Sequence, residues 1–337
     1  MRILVIKQTS LGDVLHSTGH VRTIKQTWPD SELVLLTATG SADIYRHSPW
    51  VDKMILVDRY RVKHNWYREP YWCFRHMRDV LRQVRAQSFD LAFDLQGLAK
   101  TVLFLYGARA REKFVKGRWP GLKGFRYPHL HAIKEMDGVL ALAGIENPDT
   151  TMEFATSSRE RQKVDLLLQT LNPENKQLVV FSPFSRWPSK DWPLRNYVEL
   201  ASAMTDDYLV LFTGAPDRAG EIEKVLGLSP KSNILNLSGK LNLLEFAELV
   251  RRTALMLTGD SFPMHVAVAC NTRVIALFGP TDEKRVGPPP KLSCVMRAPD
   301  CEKCDRQVCP KNCMAAIPVE SVKLQIDSAL GQFAGLI

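Results

Sequence analysis

The feature that most constrains the fold of this sequence is a regular alternation of short apolar runs with longer amphipathic stretches. Short apolar and β-branched runs between polar turns are typical of strands buried in a parallel sheet. Strands that alternate with helices predict such a sheet with helices on both of its faces. In the first half, the apolar runs lie at residues 2–7, 33–36, 54–57 and 91–95, and the helical stretches at 13–27 and 72–86.

The same alternation restarts after a polar, proline-containing stretch, and 337 residues suffice for two cores. We therefore predict two doubly wound α/β domains, residues 1–155 and 156–337, the second with a cysteine-rich segment at 294–313 and a C-terminal helix. In the second half, the predicted strands are 178–181, 209–212, 235–237, 255–257 and 274–278, and the predicted helices are 157–171, 196–204, 219–226, 244–252 and 263–270.

Ligands of such sheets bind beyond the carboxyl ends of the strands, and a polar cluster follows the first strand. Gly12 allows a tight turn, and Asp13 stands at the start of a helix, beside Lys7 and Ser10. Helix capping is an alternative explanation of Asp13, because Asp is favoured at helix N-termini. Capping alone does not require Lys7 and Ser10.

A second polar loop, residues 181–193, follows the first strand of the second half. Ser185, Arg186 and Lys190 provide a hydroxyl group and cations suited to holding a diphosphate. A solvated loop anchored by its tryptophans is the alternative. Three prolines within eleven residues indicate a fixed shape, which favours a binding loop.

Two further loops follow the last two predicted strands. A helix begins near Ser261 with Pro263 in its first turn, and free N–H groups at such a start bind anions. His265 lies one turn further along the helix, although a buried structural histidine is the alternative. Residues 277–282, which include Thr281, form the other loop, and an ordinary turn would explain it equally well.

Taken together, these segments resemble the ADP-heptose:lipopolysaccharide heptosyltransferases, glycosyltransferase family 9. The resemblance rests on five motifs in the family's order, and one motif alone would be a weak signal. They are S-x-G-D at residues 10–13, D-x-Q-G at 94–97, K-x-W-P at 190–193, D-S-x-x-x-H at 260–265 and F-G-P-T-D at 278–282.

The resemblance implies two Rossmann-like domains facing across a cleft, the GT-B type of fold. The first domain would bind the acceptor and the second the nucleotide-sugar. The implied reaction is inverting transfer of L-glycero-D-manno-heptose from ADP-heptose to the Kdo/heptose inner core of lipopolysaccharide, with no obligatory metal or other cofactor. A member of the same family that uses another nucleotide-sugar or acceptor is the main alternative.

The resemblance also implies roles for individual residues. Asp13 would be the general base, and Lys190 would stabilise the leaving diphosphate. The donor would contact Ser185, Arg186, Asp217, Asp260, Ser261, His265 and Thr281, and the acceptor would contact Lys7, Ser10, Gly12, Arg59, Arg61, Lys63 and Gln96. Arg218 stands where the family's ribose-binding carboxylate is expected, so Asp217 and Glu221 are both candidates for that contact.

Positive charge is concentrated in residues 59–126, which hold sixteen Lys or Arg against five Asp or Glu, in a chain of net charge +9. Such a region favours an acidic partner. In the family, that partner would be the phosphates and carboxylates of a lipid A–Kdo or heptosylated acceptor. A solvated basic face without a specific ligand is the alternative.

Aromatic side chains interleave with these basic residues, as expected for a surface beside a headgroup layer. No apolar run reaches 18 residues, and Lys7, Gln8 and Asp13 interrupt any signal-peptide core. We therefore expect a cytoplasmic protein, peripheral to the inner membrane. The interleaved aromatic residues are Trp66, Tyr67, Tyr71, Trp72 and Trp119.

Four thiols within thirteen residues, Cys301, Cys304, Cys309 and Cys313, could complete a tetrahedral structural zinc site. Free thiols are the alternative. A basic, zinc-containing nucleic-acid-binding protein is a remote alternative for the whole chain. The basic residues lie far from the cysteines in sequence and no nucleic-acid motif is present, so we predict no nucleic-acid partner.

Overall fold

The computed structural model describes residues 1–127, 129–228 and 231–331. The chain divides into two compact units, the first Met1–Ala155 and the second beginning at Thr156. Each unit is built on one parallel sheet. Among the described residues, no helix combines the length and apolar character needed to cross a bilayer.

The first unit contains six parallel strands in the order β3-β2-β1-β4-β5-β6. Its central strand is fully buried from Ile3 to Ile6, as expected when helices cover both faces of a sheet. The strands are β1 (Arg2–Ile6), β2 (Glu32–Ala38), β3 (Lys53–Val57), β4 (Ser88–Asp94), β5 (Arg109–Lys116) and β6 (Lys123–Phe125). The helices are α1 (Leu11–His16), α2 (Thr18–Thr27), α3 (Arg59–Asn65), α4 (Pro70–Arg85), α5 (Ala99–Gly107) and α6 (Ala132–Ala141).

The second unit repeats this topology with strand order β12-β11-β10-β7-β8-β9. Its strands are β7 (Gln177–Ser182), β8 (Tyr208–Phe212), β9 (Ile234–Asn236), β10 (Leu255–Gly259), β11 (Arg273–Phe278) and β12 (Ser293–Arg297). Its helices are α7 (Ser158–Leu171), α8 (Leu194–Ser202), α9 (Ala219–Leu226), α10 (Leu243–Arg251), α11 (Phe262–Ala269), α12 (Glu283–Val286) and α13 (Val319–Gly331).

Both sheets reverse their strand order beside the first strand of the unit. In the first unit, β1 lies between β2 and β4. In the second, β7 lies between β8 and β10. The loops that follow the two strands at such a switch point diverge and leave a crevice. Four of the five sequence motifs lie at or after the ends of β1, β4, β7 and β10, and the fifth follows β11.

The predicted class, two doubly wound α/β units with a C-terminal helix, is confirmed. The predicted helix 13–27 is in fact two helices, because Ser17 interrupts it. The Ser17 hydroxyl donates to the carbonyl oxygen of Val14 (2.6 Å) and lies 2.8 Å from the Tyr45 hydroxyl. The elements that were not predicted from the sequence are the strands β5, β6 and β12 and the helices α3, α5, α6 and α12.

Candidate active site

The loop after β1 places Ser10 and Asp13 in direct contact. Both the backbone N–H and the hydroxyl of Ser10 donate to Asp13 Oδ2, each over 2.8 Å. Ser10 is the residue before α1 and Asp13 lies in the first turn of that helix. The capping explanation is therefore correct locally. The same contacts fix the orientation of the Asp13 carboxylate.

Gln96 holds this loop from the end of the neighbouring strand β4. Its Oε1 accepts the backbone N–H groups of Gln8 and Thr9, each over 2.9 Å. Its Nε2 donates to the carbonyl oxygen (2.5 Å) and the hydroxyl (3.2 Å) of Thr9. We predicted an acceptor contact for Gln96. The structure engages both ends of its amide with the loop, which makes it a positioning group.

The turn that presents Gln96 depends on Asp94 and Gly97. Asp94 is fully buried, and its Oδ1 accepts the N–H groups of Gln96 (2.9 Å) and Gly97 (3.0 Å). Burial raises the pKa of Asp94. Gly97 has a φ of +69°, and a Cβ there would lie 1.8 Å from the Lys116 carbonyl oxygen. Only glycine fits this position.

Lys7 lies beneath the loop. It is 4% exposed, and its ammonium donates to the carbonyl oxygen of Leu95 over 3.3 Å. Burial lowers its pKa to about 8, against the opposing effect of the Asp13 and Asp94 charges. The Lys7 side chain is enclosed in this structure, and the acceptor contact predicted for it stays a prediction. Gly12, also predicted to contact the acceptor, is likewise buried within α1.

The other three basic residues predicted to bind the acceptor have different environments. Arg59 donates to the hydroxyl of Thr9 and so touches the Asp13 loop. Arg61 pairs with Glu69 over 2.5 Å, and its guanidinium lies 3.9 Å from the Trp72 ring centroid. Lys63 is exposed. Arg59 is the one that the structure brings to the loop.

In the second unit, one carboxylate joins three loops. Asp260 Oδ2 lies 2.6 Å from Lys190 Nζ and accepts the Thr281 hydroxyl over 2.7 Å. These residues follow β10, β7 and β11 respectively. Lys190 Nζ also lies 4.5 Å from the Trp187 ring centroid. Asp260 is only 6% exposed, so this pair holds the Lys190 ammonium in a fixed place at the strand ends.

The Lys190 loop is anchored to the core by Trp192. That side chain is 1% exposed, and its indole N–H donates to the Ile317 carbonyl oxygen over 3.0 Å. The alternative explanation of the loop, anchorage by its tryptophans, is therefore correct for Trp192. It does not compete with binding, because the same anchor fixes Lys190 at the surface of the unit.

A second acid, Asp191, shapes the Ser185 turn. Asp191 Oδ1 accepts the backbone N–H of Ser185 over 2.7 Å, while the Ser185 hydroxyl donates to the Trp187 carbonyl oxygen. Burial raises the pKa of Asp191 from its ordinary value of 3.8 to about 6. The nearby charges of Arg218 and Glu221 act on it in opposite directions.

The two candidates for a ribose-binding carboxylate are placed differently. Glu221 pairs with Arg218 over 3.0 Å, and the Arg218 guanidinium lies 4.8 Å from the Phe184 ring centroid. Asp217 is exposed on the preceding 3₁₀ turn, and Arg186 is exposed in the Ser185 loop. Of the two acids, Glu221 is the one whose charge acts on the Asp191 turn.

The helix predicted to begin near Ser261 is confirmed as α11. Ser261 directly precedes the helix, and its hydroxyl lies 3.1 Å from the Thr258 hydroxyl. Pro263 is in the first turn. His265 is 7% exposed, as the alternative of a buried histidine describes, and its predicted donor contact stays a prediction.

Arg297 organises this end of the sheet, a role that was not predicted from the sequence. Its guanidinium donates to the carbonyl oxygens of Gly279 (2.7 Å) and Thr281 (2.9 Å) and pairs with Glu283 over 2.6 Å. Arg297 thereby fixes the loop that carries Thr281. A lone arginine in an unrecognised strand gives no sequence signal of such a role.

The cysteine-rich segment packs against the same loops. The Ser189 hydroxyl donates to the Arg306 carbonyl oxygen over 2.6 Å. The sulfurs of Cys309 and Cys313 lie 3.5 Å apart, whereas Cys304 is exposed. Within residues 1–127, 129–228 and 231–331, no group of three or more His, Cys, Asp or Glu could hold a metal ion. The predicted zinc site gains no support and stays a prediction.

Comparison with known proteins points to one family. Residues 77–315 match the pattern of glycosyltransferase family 9 (heptosyltransferase). The chain is 25% identical to lipopolysaccharide heptosyltransferase 1 of Escherichia coli K12 over 313 residues. The aligned region covers 89% of this chain and 94% of that protein.

Two solved structures share the fold. A family 9 glycosyl transferase from Veillonella parvula aligns with a TM-score of 0.87 and 20% identity over 98% of this chain and 97% of that one. The Escherichia coli heptosyltransferase WaaC with ADP aligns with a TM-score of 0.78 and 21% identity over 98% of this chain and 100% of that one. The predicted GT-B type of fold is thereby confirmed.

The Gln96 contacts predict the behaviour of two backbone amides. Gln96→Ala leaves the N–H groups of Gln8 and Thr9 without their acceptor, so their hydrogen exchange should accelerate about tenfold or more, equivalent to roughly 1.4 kcal/mol. Amide exchange followed by mass spectrometry measures this. Gln26→Ala, an exposed change on α2, is the matched control. Unchanged protection of residues 8 and 9 would contradict the assigned role.

The raised pKa of Asp191 predicts a pH effect on stability. The unfolded chain releases this proton first, so the contribution of Asp191 is fully favourable below about pH 3.8 and is lost as pH rises through about 6. Asp191→Asn retains the acceptor for Ser185 and should melt at or above the wild-type temperature at pH 8. Asp191→Ala removes that acceptor and should lower the free energy of unfolding by about 1 kcal/mol. Thermal melts at pH 5 and 8 test this, and a large loss in Asp191→Asn would count against it.

Proposed function

The chain belongs to glycosyltransferase family 9, and from this membership we propose that it transfers a heptose from ADP-heptose to the inner core of lipopolysaccharide with inversion. The named function of the Escherichia coli relative and the ADP in the related WaaC structure support this choice. The observation that carries this proposal is the contact of Asp260 with both Lys190 and Thr281 at the strand ends. These contacts fix a cation where a diphosphate would bind.

In the proposed donor site, charge stabilises the leaving group. As the bond between the anomeric carbon and the diphosphate breaks, ADP takes the electron pair and gains negative charge. Lys190 opposes that charge, and the start of α11 at Ser261 offers backbone N–H groups to it. Since Asp260 already holds the Lys190 ammonium in place, little reorganisation is needed during the reaction.

In the proposed acceptor site, Asp13 accepts the proton of the attacking hydroxyl group. The new C–O bond forms as that proton moves to the carboxylate. Ser10 orients the carboxylate, and Gln96 holds the loop that carries it. Arg59, in contact with Thr9, is the basic residue suited to an acidic group of the acceptor.

We also propose that the protein works at the cytoplasmic face of the inner membrane, where an acceptor of this class is anchored. The support is the surplus of positive charge within residues 59–126.

Titration calorimetry with ADP, UDP and GDP tests the donor. We expect ADP to bind best, and Lys190→Ala to weaken it about tenfold or more, equivalent to roughly 1.4 kcal/mol. Lys224→Ala, at an exposed position on α9, should leave binding unchanged. Thermal melts of each variant show whether it is folded. Preference for UDP or GDP would indicate another nucleotide-sugar, and the absence of nucleotide binding would refute the proposal.

Transfer assays test the base. Asp13→Asn removes the proton acceptor while keeping the size of the side chain, so kcat should fall about 10²- to 10⁴-fold. ADP affinity should not change, because the nucleotide is assigned to the other unit. Asp30→Asn, at an exposed position in the same unit, is the control. Near-normal turnover in Asp13→Asn would rule out this role.

A further inference from the structure

The segment around the α3–α4 turn exposes an unusual amount of aromatic surface. Within fifteen residues, five large aromatic side chains are at least half exposed or nearly so: Tyr60 (77%), Trp66 (49%), Tyr67 (94%), Tyr71 (76%) and Phe74 (62%). Contiguous exposed apolar surface on a soluble unit marks a site of interaction.

Helix α4 continues this surface with positive charge. Five exposed residues recur at helical spacing along α4 and therefore form one face of the helix. They are Tyr71, Phe74, Arg75, Arg78 and Arg82. The opposite face, formed by Cys73, Val80 and Val84, is buried against the unit. The exposed aromatic and basic residues therefore form one outward stripe, here called the α4 outer face.

One acid lies beside this stripe. Asp79 lies 3.4 Å from Arg78, 3.7 Å from Arg82 and 3.8 Å from Arg75. Exposed ion pairs of this kind contribute little to the free energy of unfolding. In addition, a single carboxylate cannot neutralise three guanidinium groups. The α4 outer face thus keeps a net positive charge.

The surface differs from the one that the aromatic residues of the sequence suggested. Trp72 stacks on His76 at 4.9 Å and lies beneath Arg61, so it is part of the packing between α3 and α4. Trp119 packs against the core. The exposed surface is instead formed by other residues of α4, namely Phe74, Arg75, Arg78 and Arg82.

We propose that the α4 outer face, together with Tyr67 at the α3–α4 turn, docks the protein on the anionic headgroups of a lipid bilayer. Tyr, Trp and Phe favour the interfacial layer, because their rings are apolar and Tyr and Trp also have polar groups that remain hydrated. Arg near an anionic bilayer contributes about 1 kcal/mol per residue. This inference rests on the proposed function in so far as that function requires a membrane-anchored acceptor.

The α4 outer face is distinct from the acceptor contact. Arg59 touches Thr9 in the loop that also carries Asp13, whereas Arg75, Arg78 and Arg82 extend along α4. Docking and acceptor recognition are therefore separable by mutation. Single-stranded nucleic acid also binds aromatic and basic residues, but it requires a groove that tracks its backbone. A stripe along one face of a single helix fits a flat surface better.

The test is flotation of the purified full chain with vesicles of phosphatidylcholine alone or with about a third phosphatidylglycerol, which supplies the surface charge. We expect binding to the anionic vesicles only, weakened by salt. Tyr71→Ser with Phe74→Ser, and separately Arg75→Gln with Arg78→Gln and Arg82→Gln, should each weaken binding about tenfold or more. Leu166→Ser and Leu324→Ser, which change equally exposed apolar residues on α7 and α13, should bind as wild type.

Equal binding to neutral vesicles, or unchanged binding by both variant sets, would overturn the proposal. So would stronger retention on single-stranded RNA than on anionic vesicles. Because these vesicles contain neither donor nor acceptor, the result does not depend on the transfer reaction. An inactive wild type with normal flotation results would therefore refute the proposed function alone.

Activity provides the complementary readout. The α4 variants should transfer sugar normally to a water-soluble, deacylated acceptor and more slowly to the same acceptor in anionic vesicles. Equal loss on both acceptors would assign the face to acceptor recognition and overturn the docking proposal.

Discussion

The two candidate sites depend on the burial of the central strands β1 and β7. A parallel strand covered on both faces has no room for polar side chains along its length. Polar groups must then follow the strand, where the chain leaves the sheet. The neighbouring strands at the switch points, β4 in the first unit and β10 in the second, also end in polar loops. Formation of each sheet therefore brings two polar loops together.

The charges at these loops are held by partners before any substrate binds. Asp260 fixes Lys190, and the amide of Gln96 fixes the loop that carries Asp13. Lys7 and Asp94 are buried behind that loop, where each would be costly alone, and their opposite charges partly offset the cost of burial. Such preorganisation is what electrostatic stabilisation of a transition state requires.

Much of this architecture could be predicted from the sequence, because buried parallel strands leave continuous apolar runs. The strand β5 has no such run, since four of its first five residues are polar or charged and only Phe114 and Val115 are fully buried. The positions of Asp13, Lys190 and Asp260 at strand ends were predictable from motif order. The roles of Gln96 and Arg297 were not, because both act on backbone atoms whose positions only the folded chain defines. The burial of Lys7 was missed for the same reason.

The strand order also determines when each unit can form during synthesis. In the first unit, the central strand pairs with β4, so that Ile3 lies opposite Leu91, and hydrogen bonds such as that from Lys7 to Leu95 span 88 positions of sequence. Non-local pairing of this kind has a high contact order and forms slowly. The N-terminal strand must therefore remain without its partner on one side until residue 94 has left the ribosome. During translation, this apolar strand edge is therefore open to pairing with other chains, which favours aggregation.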